Sequence, residues 1–163
     1  MLILAALLAA MTTILILFGH IRVGHGIVHM GDAMIYFAAC LLPRKYALAS
    51  AGLGGALANA LGGHFVFIIP TLIIKMLITL PYCSESEKIL TKRNMLMTIP
   101  AGLITIFGYF IAVWILFGWA GALTSLLGDL IQAGGSAMLF FIIAATLDRI
   151  KIKALLKNKY FQY

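Results

Sequence analysis

Charge is scarce in this chain. Of 163 residues, 12 are Lys or Arg and only 5 are Asp or Glu, so charged residues make up 10% against 63% hydrophobic. A water-soluble domain of this size could not hide that balance, and the mean hydropathy of +1.08 points to lipid as the solvent. Other absences narrow the class further. Strand-like alternation of apolar and polar residues is missing, which excludes a membrane β-barrel. There is no G-x-x-x-x-G-K-[ST] phosphate loop, so the chain is not expected to hydrolyse ATP by that route. Linkers, low-complexity segments and internal repeats are also missing, so residues 1–163 are expected to form one domain. Without an inverted repeat, a free-standing transporter that rocks two halves about a central site is excluded as the simplest reading.

What is present is a series of apolar stretches that are hydrophobic on every face, as a hydrocarbon core of about 30 Å requires of a helix. They predict an all-α integral membrane protein, a compact bundle of six transmembrane helices over residues 2–18, 28–42, 46–61, 65–81, 94–117 and 120–147. Leu2 to Phe18 lacks a basic start and a small-residue cleavage site, and is read as a retained helix. Pro70 and Pro100 fall inside two of the spans, and Gly52, Gly54, Gly55, Gly62, Gly63, Gly134 and Gly135 allow close packing or local unwinding.

Basic residues give the orientation. With the N-terminus inside, Arg44, Lys45, Lys88, Lys92, Arg93, Arg149, Lys151, Lys153, Lys157 and Lys159 are cytoplasmic, ten of the twelve, while Arg22 falls outside and Lys75 lies within a helix. Both termini are therefore expected in the cytoplasm, and the net charge of +7 is topogenic and lipid-facing and not a nucleic-acid site. Cys40 and Cys83 fall on the inner side, where no disulfide is expected.

Polar residues at membrane depth are costly and mark function or helix contacts. Asp32, Tyr36, Asn59, Lys75, Asp129 and Gln132 are the candidates, mostly outward of the midplane. They would converge beneath a lid made by residues 19–30 and by the Gly62-Gly-His64 turn, which brings in His29 and His64. The set describes a small-molecule pocket that opens outward, with Lys75 pairing to Asp129 or Asp32 as the purely structural reading. Tyr36, Tyr109 and Trp119 could stack on a planar ring, which suits a pyridine or pyrimidine compound. On helix one, Ala5, Ala6, Ala9 and Ala10 form overlapping Ala-x-x-x-Ala pairs that let another helix approach closely.

With those residues in view, the chain resembles a substrate-binding S component of an energy-coupling factor (ECF) transporter. The resemblance rests on the alanine stripe, on Val28 to Pro43, on Ala58-Asn-Ala-Leu-Gly-Gly63 leading to Pro70-Thr-Leu-Ile-Ile-Lys75, and on Gly128-Asp-Leu-Ile-Gln132. It implies a plasma-membrane protein that takes up a vitamin or vitamin precursor. It also implies partners, a transmembrane coupling subunit and two ATPase subunits, with Ala5, Ala6, Ala9 and Ala10 at the coupling contact. In the binding site it implies His29, Lys75, Asp129 and Gln132. Relatives commonly carry Asn where Asp129 stands and Asp where Asn59 stands, so a charge has moved between helices. No cofactor is expected.

Two other readings compete. His20, His25, His29 and His64 all fall on the outer side and imidazole suits nickel, cobalt or zinc, although the amino terminus lacks the Met-His start of metal carriers in the wider group. An intramembrane hydrolase would need an activated serine, and Ser50, Ser125 and Ser136 sit in no Gly-x-Ser-x-Gly turn. The chain is therefore read as a transport subunit and not an enzyme.

Overall fold

In a computed structural model, which describes residues 1–23 and 26–160, the apolar stretches fold as helices because a helix satisfies its own backbone hydrogen bonds. The first helix, α1, spans Leu2–Phe18, as its sequence predicts. A two-stranded antiparallel ribbon follows, β1 (His20–Val23) and β2 (Gly26–His29), with His20 opposite His29 and Ile21 opposite Val28. The expected start of the second helix at residue 28 is corrected here. Isoleucine and valine recur on both sides of the turn and favour extended pairing, so α2 starts later, at Gly31–Leu41.

Helix α3 is Arg44–Leu61 and begins straight after Pro43, whose ring fixes the extended approach to the helix. A single 3-10 turn at Phe65–Phe67 then leads into α4, Ile68–Leu77. The fourth span was expected to reach residue 81, but the helix closes at Ile78 and residues 79–81 form turns. Pro70 and Pro100 each fall in the first turn of their helices, where a missing N–H leaves nothing unpaired. A short α5 (Lys92–Leu96) precedes α6, Thr98–Arg149, and α7 covers Ile152–Tyr160. Helix α6 is two helices in series. Gly118, at φ 81° and ψ 175°, breaks it into arms of residues 98–117 and 119–149, near the boundary expected between spans five and six. The positive φ suits glycine and strains any other residue.

The helices alternate in direction. One end of the bundle, the hairpin end, carries the ribbon, the Gly62–His64 turn and Gly118; the other, the tail end, carries Pro43, the 78–91 loop and α7. Helices α1 and α3 approach closely at Gly54, where a Cβ would lie 2.9 Å from the Ala9 carbonyl oxygen, and Thr13 Oγ1 donates to the Gly54 carbonyl at 2.9 Å. Helix α2 is buried along its whole length, with Tyr36 stacked on Tyr82 and edge-on to Phe140.

The outer surface is apolar. Ile3, Phe18 and Ile115 are 82%, 84% and 77% exposed, and large aliphatic side chains face outward from every long helix, a surface suited to lipid and not to water. Among the described residues only the segment Lys92–Arg149, taken across Met97 and the Gly118 break, is by length and composition both long and apolar enough to cross a bilayer. At 1.5 Å per residue α1 reaches about 26 Å and α2 about 16 Å, so the shorter helices depend on their neighbours and the ribbon to fill the thickness.

Candidate ligand-binding site

Two layers of polar groups lie at the hairpin end. The inner layer is built on Asp32, placed in the first turn of α2, where the helix dipole favours a carboxylate. Lys75 Nζ meets Asp32 Oδ1 at 2.5 Å, and both side chains are wholly buried. Gly55 makes this possible, since a Cβ there would lie 2.8 Å from the Lys75 stem and from Thr71. The second carboxylate oxygen, Oδ2, accepts from Gln132 Nε2 at 3.1 Å and from Thr105 Oγ1 at 3.3 Å. Gln132 Oε1 in turn accepts the backbone N–H of His29 at 3.3 Å, which ties the ribbon to the second arm of α6. The Lys75 ammonium also lies 4.9 Å from the centre of the Tyr109 ring, within cation–π reach. Every polar atom of the pair thus has partners, as a buried ion pair needs if it is to persist.

The outer layer surrounds a cavity of about 40 Å³. Phe67, Tyr109 and Val113 supply its apolar wall, and Asn59, Thr71, Asp129 and the rings of His20, His29 and His64 supply its polar edges. Asn59 Nδ2 donates to Thr71 Oγ1 at 2.7 Å and to the Phe67 carbonyl at 3.3 Å, and Tyr109 Oη donates to Thr71 at 3.1 Å. Asp129 differs from all of these: it is 6% exposed, and its Oδ2 has no hydrogen-bond partner.

Of the residues expected to form a site, His29, Asn59, His64 and Asp129 line the cavity together. Asp32, Lys75 and Gln132 lie directly behind that lining, joined through Tyr109 and His29. Tyr36 does not join them, because its ring points into the stack with Tyr82 and Phe140. Trp119 packs edge-on to Phe110 and Trp114 and is 56% exposed, away from the cavity. Sequence reasoning missed Thr71 and Thr105, since a threonine in an apolar helix ordinarily bonds its own backbone and carries no signal. Among the described residues no group of three His, Cys, Asp or Glu converges as a metal site, and His25 lies outside the described residues. The alanine stripe divides: Ala5 and Ala9 are buried in the bundle, whereas Ala6 and Ala10 face out.

Comparison with known families matches residues 1–149 to the ECF-type riboflavin transporter, S component. The chain belongs to that family. No curated protein matches it in sequence. As an ECF S component it is a membrane-embedded transport subunit that binds a small-molecule substrate and works with a transmembrane coupling subunit and ATPase modules. Its apolar exterior and its mostly helical bundle accord with that membership.

Proposed function

We propose that this S component captures a planar heteroaromatic vitamin or vitamin precursor in the hairpin-end cavity and hands it to its coupling partners for uptake across the plasma membrane. The carrying observation is the cavity itself, where an aromatic wall at Phe67 and Tyr109 meets polar edges from Asn59, His29 and Asp129. A flavin is the first ligand to test because the family is named for riboflavin, and smaller pyridine and pyrimidine compounds come next. The cavity is far below the roughly 300 Å³ usual for small-molecule sites, so capture requires the ribbon and the Gly62–His64 turn to move outward.

In this reading the whole chain is one domain with both termini cytoplasmic and the hairpin end outside. The concentration of Arg44, Lys45, Lys88, Lys92, Arg93, Arg149, Lys151 and Lys153 at the tail end supports it. Ala6 and Ala10, exposed on α1 among Leu7, Met11 and Ile14, offer the coupling subunit a shallow strip for close helix contact. ATP hydrolysis belongs to the partners, and this chain's residues bind and release.

The test is thermal unfolding of the purified chain in detergent against riboflavin, pyridine and pyrimidine vitamins, nucleobases, and nickel, cobalt and zinc salts. A ligand that binds only the folded state raises the melting temperature, by RT ln(1 + [L]/Kd) in free energy. Stabilisation by a heteroaromatic compound supports the proposal. Stabilisation by a metal salt alone replaces it with cation uptake, and a flat response from folded protein removes it.

A further inference from the structure

The unbonded carboxylate oxygen of Asp129, Oδ2, goes further than the family name, which says only that a flavin is the reference ligand. Asp129 is 6% exposed and lines the cavity, its Oδ2 accepts no hydrogen bond, and the nearest fully buried cation, Lys75, is engaged by Asp32. A buried carboxylate oxygen without a donor is costly unless something that enters the site satisfies it. Neighbouring groups sharpen what that something must be. Both amide hydrogens of Asn59 are directed to Phe67 and Thr71, so Asn59 can offer a ligand only its carbonyl oxygen. His20 Nδ1 lies 2.7 Å from the Leu17 carbonyl and 3.1 Å from that of Ile16; it must carry the proton, which leaves Nε2 as an acceptor. His29 is the reverse. Its Nδ1 accepts the Gly31 N–H at 3.2 Å, so Nε2 of the neutral ring carries a hydrogen. The cavity therefore offers acceptors at Asp129 Oδ2, Asn59 and His20, a ring donor at His29 and the hydroxyl hydrogen of Thr71, whose oxygen accepts from both Asn59 and Tyr109, with His64 also at its edge.

We propose that the ligand presents an amino-substituted heteroaromatic edge, with N–H donors to Asp129 beside a ring-nitrogen acceptor, and that Asp129 is the residue selecting it over rings bearing only carbonyls. The proposal rests on the reading of the cavity as the substrate site and adds the hydrogen-bonding polarity of the substrate. Amide-for-carboxylate exchange is the natural probe, because Asn keeps the shape, loses the charge and gains a donor.

The experiment titrates the full-length protein in detergent with 2,4-diaminopteridine, with lumazine (the 2,4-dioxo counterpart of the same ring system) and with riboflavin. Wild type should bind the diamino ring about tenfold or more tighter than lumazine, the scale of one charge-assisted hydrogen bond. Asp129→Asn should abolish that preference by weakening the diamino ring and leaving or improving the dioxo rings. Equal or tighter binding of lumazine or riboflavin by wild type, or a preference unchanged in D129N, overturns the donor-edge proposal while the cavity remains the site. No binding of any of the three by folded protein overturns the donor-edge proposal, and a flat response to the wider heteroaromatic panel as well overturns the reading of the cavity. The wild-type preference is read without any variant, so its absence overturns the proposal even if D129N does not fold.

Discussion

The two ends of this bundle treat the carboxylates they shelter in opposite ways. At the tail end the 78–91 loop is closed on itself and onto α6. Asn94, wholly buried, donates to the Cys83 and Ile89 carbonyls and accepts the Cys83 N–H, all at 3.0–3.1 Å. Asp148 takes the N–H groups of Ile89 and Leu90 at 2.8 Å each, and Lys153 donates to the Ser84 and Ser86 carbonyls at 2.9 and 2.7 Å. At the hairpin end the inner layer is equally complete, but the cavity in front of it keeps Asp129 Oδ2 unbonded. A loop that only needs to hold its shape satisfies its backbone groups internally and, of its buried side chains, leaves only the Tyr82 hydroxyl, in the aromatic stack, without a partner. A site that must accept a guest leaves one waiting, and the cost falls on stability.

That contrast can be broken at several places. The largest effect is expected at the inner layer: Lys75→Ala or Asp32→Ala strands a buried charge and should cost about 3–5 kcal/mol, while a paired apolar replacement of both should recover much of it. Thermal unfolding of the single and double variants checks this. Asn94→Ala comes next. It removes three hydrogen bonds from a wholly buried group, a loss on the order of 2–3 kcal/mol, and should make the 78–91 loop sensitive to limited proteolysis. Gln132→Ala should cost about 1–2 kcal/mol and release the His29 amide, seen as faster hydrogen exchange confined to the ribbon. The smallest effect distinguishes the two ends most sharply. Asp129→Asn should leave the melting temperature of the ligand-free protein unchanged or slightly raised, since it removes a buried charge whose Oδ2 has no partner; a loss comparable to Asn94→Ala would mean that Asp129 is structural.

The sequence made the apolar skeleton legible because hydrophobic length is a direct consequence of bilayer thickness. Leu2–Phe18 stands as expected, and the boundary between the last two spans lies close to Gly118. The ribbon was read only as a glycine-containing lid, because its strands are four residues each and their pairing depends on a partner across a turn. Early closure of α4 was hidden for a related reason: Thr79 and Leu80 are compatible with a helix, and only the packing of the loop against Asn94 and Asp148 settles their course. In the site, charged and amide residues announced themselves by their depth, and the pairing of Lys75 with Asp32 was one of the two partnerships open to it. Tyr36 was misplaced because depth along a helix says nothing about which way a ring turns. Asn94 and Asp148 carried no signal, since polar residues beside a membrane boundary are common whether or not they clasp a loop.

Gly118 has a mechanical consequence. The arms on either side of it are joined through a single residue, whereas α4 and α5 are separated by the whole 78–91 loop. A joint of one residue has no slack. The first arm carries Thr105 and Tyr109 and the second carries Asp129 and Gln132, so the two walls they contribute are hinged at one point like the legs of a pair of tweezers, and a displacement at their tips is shared between them.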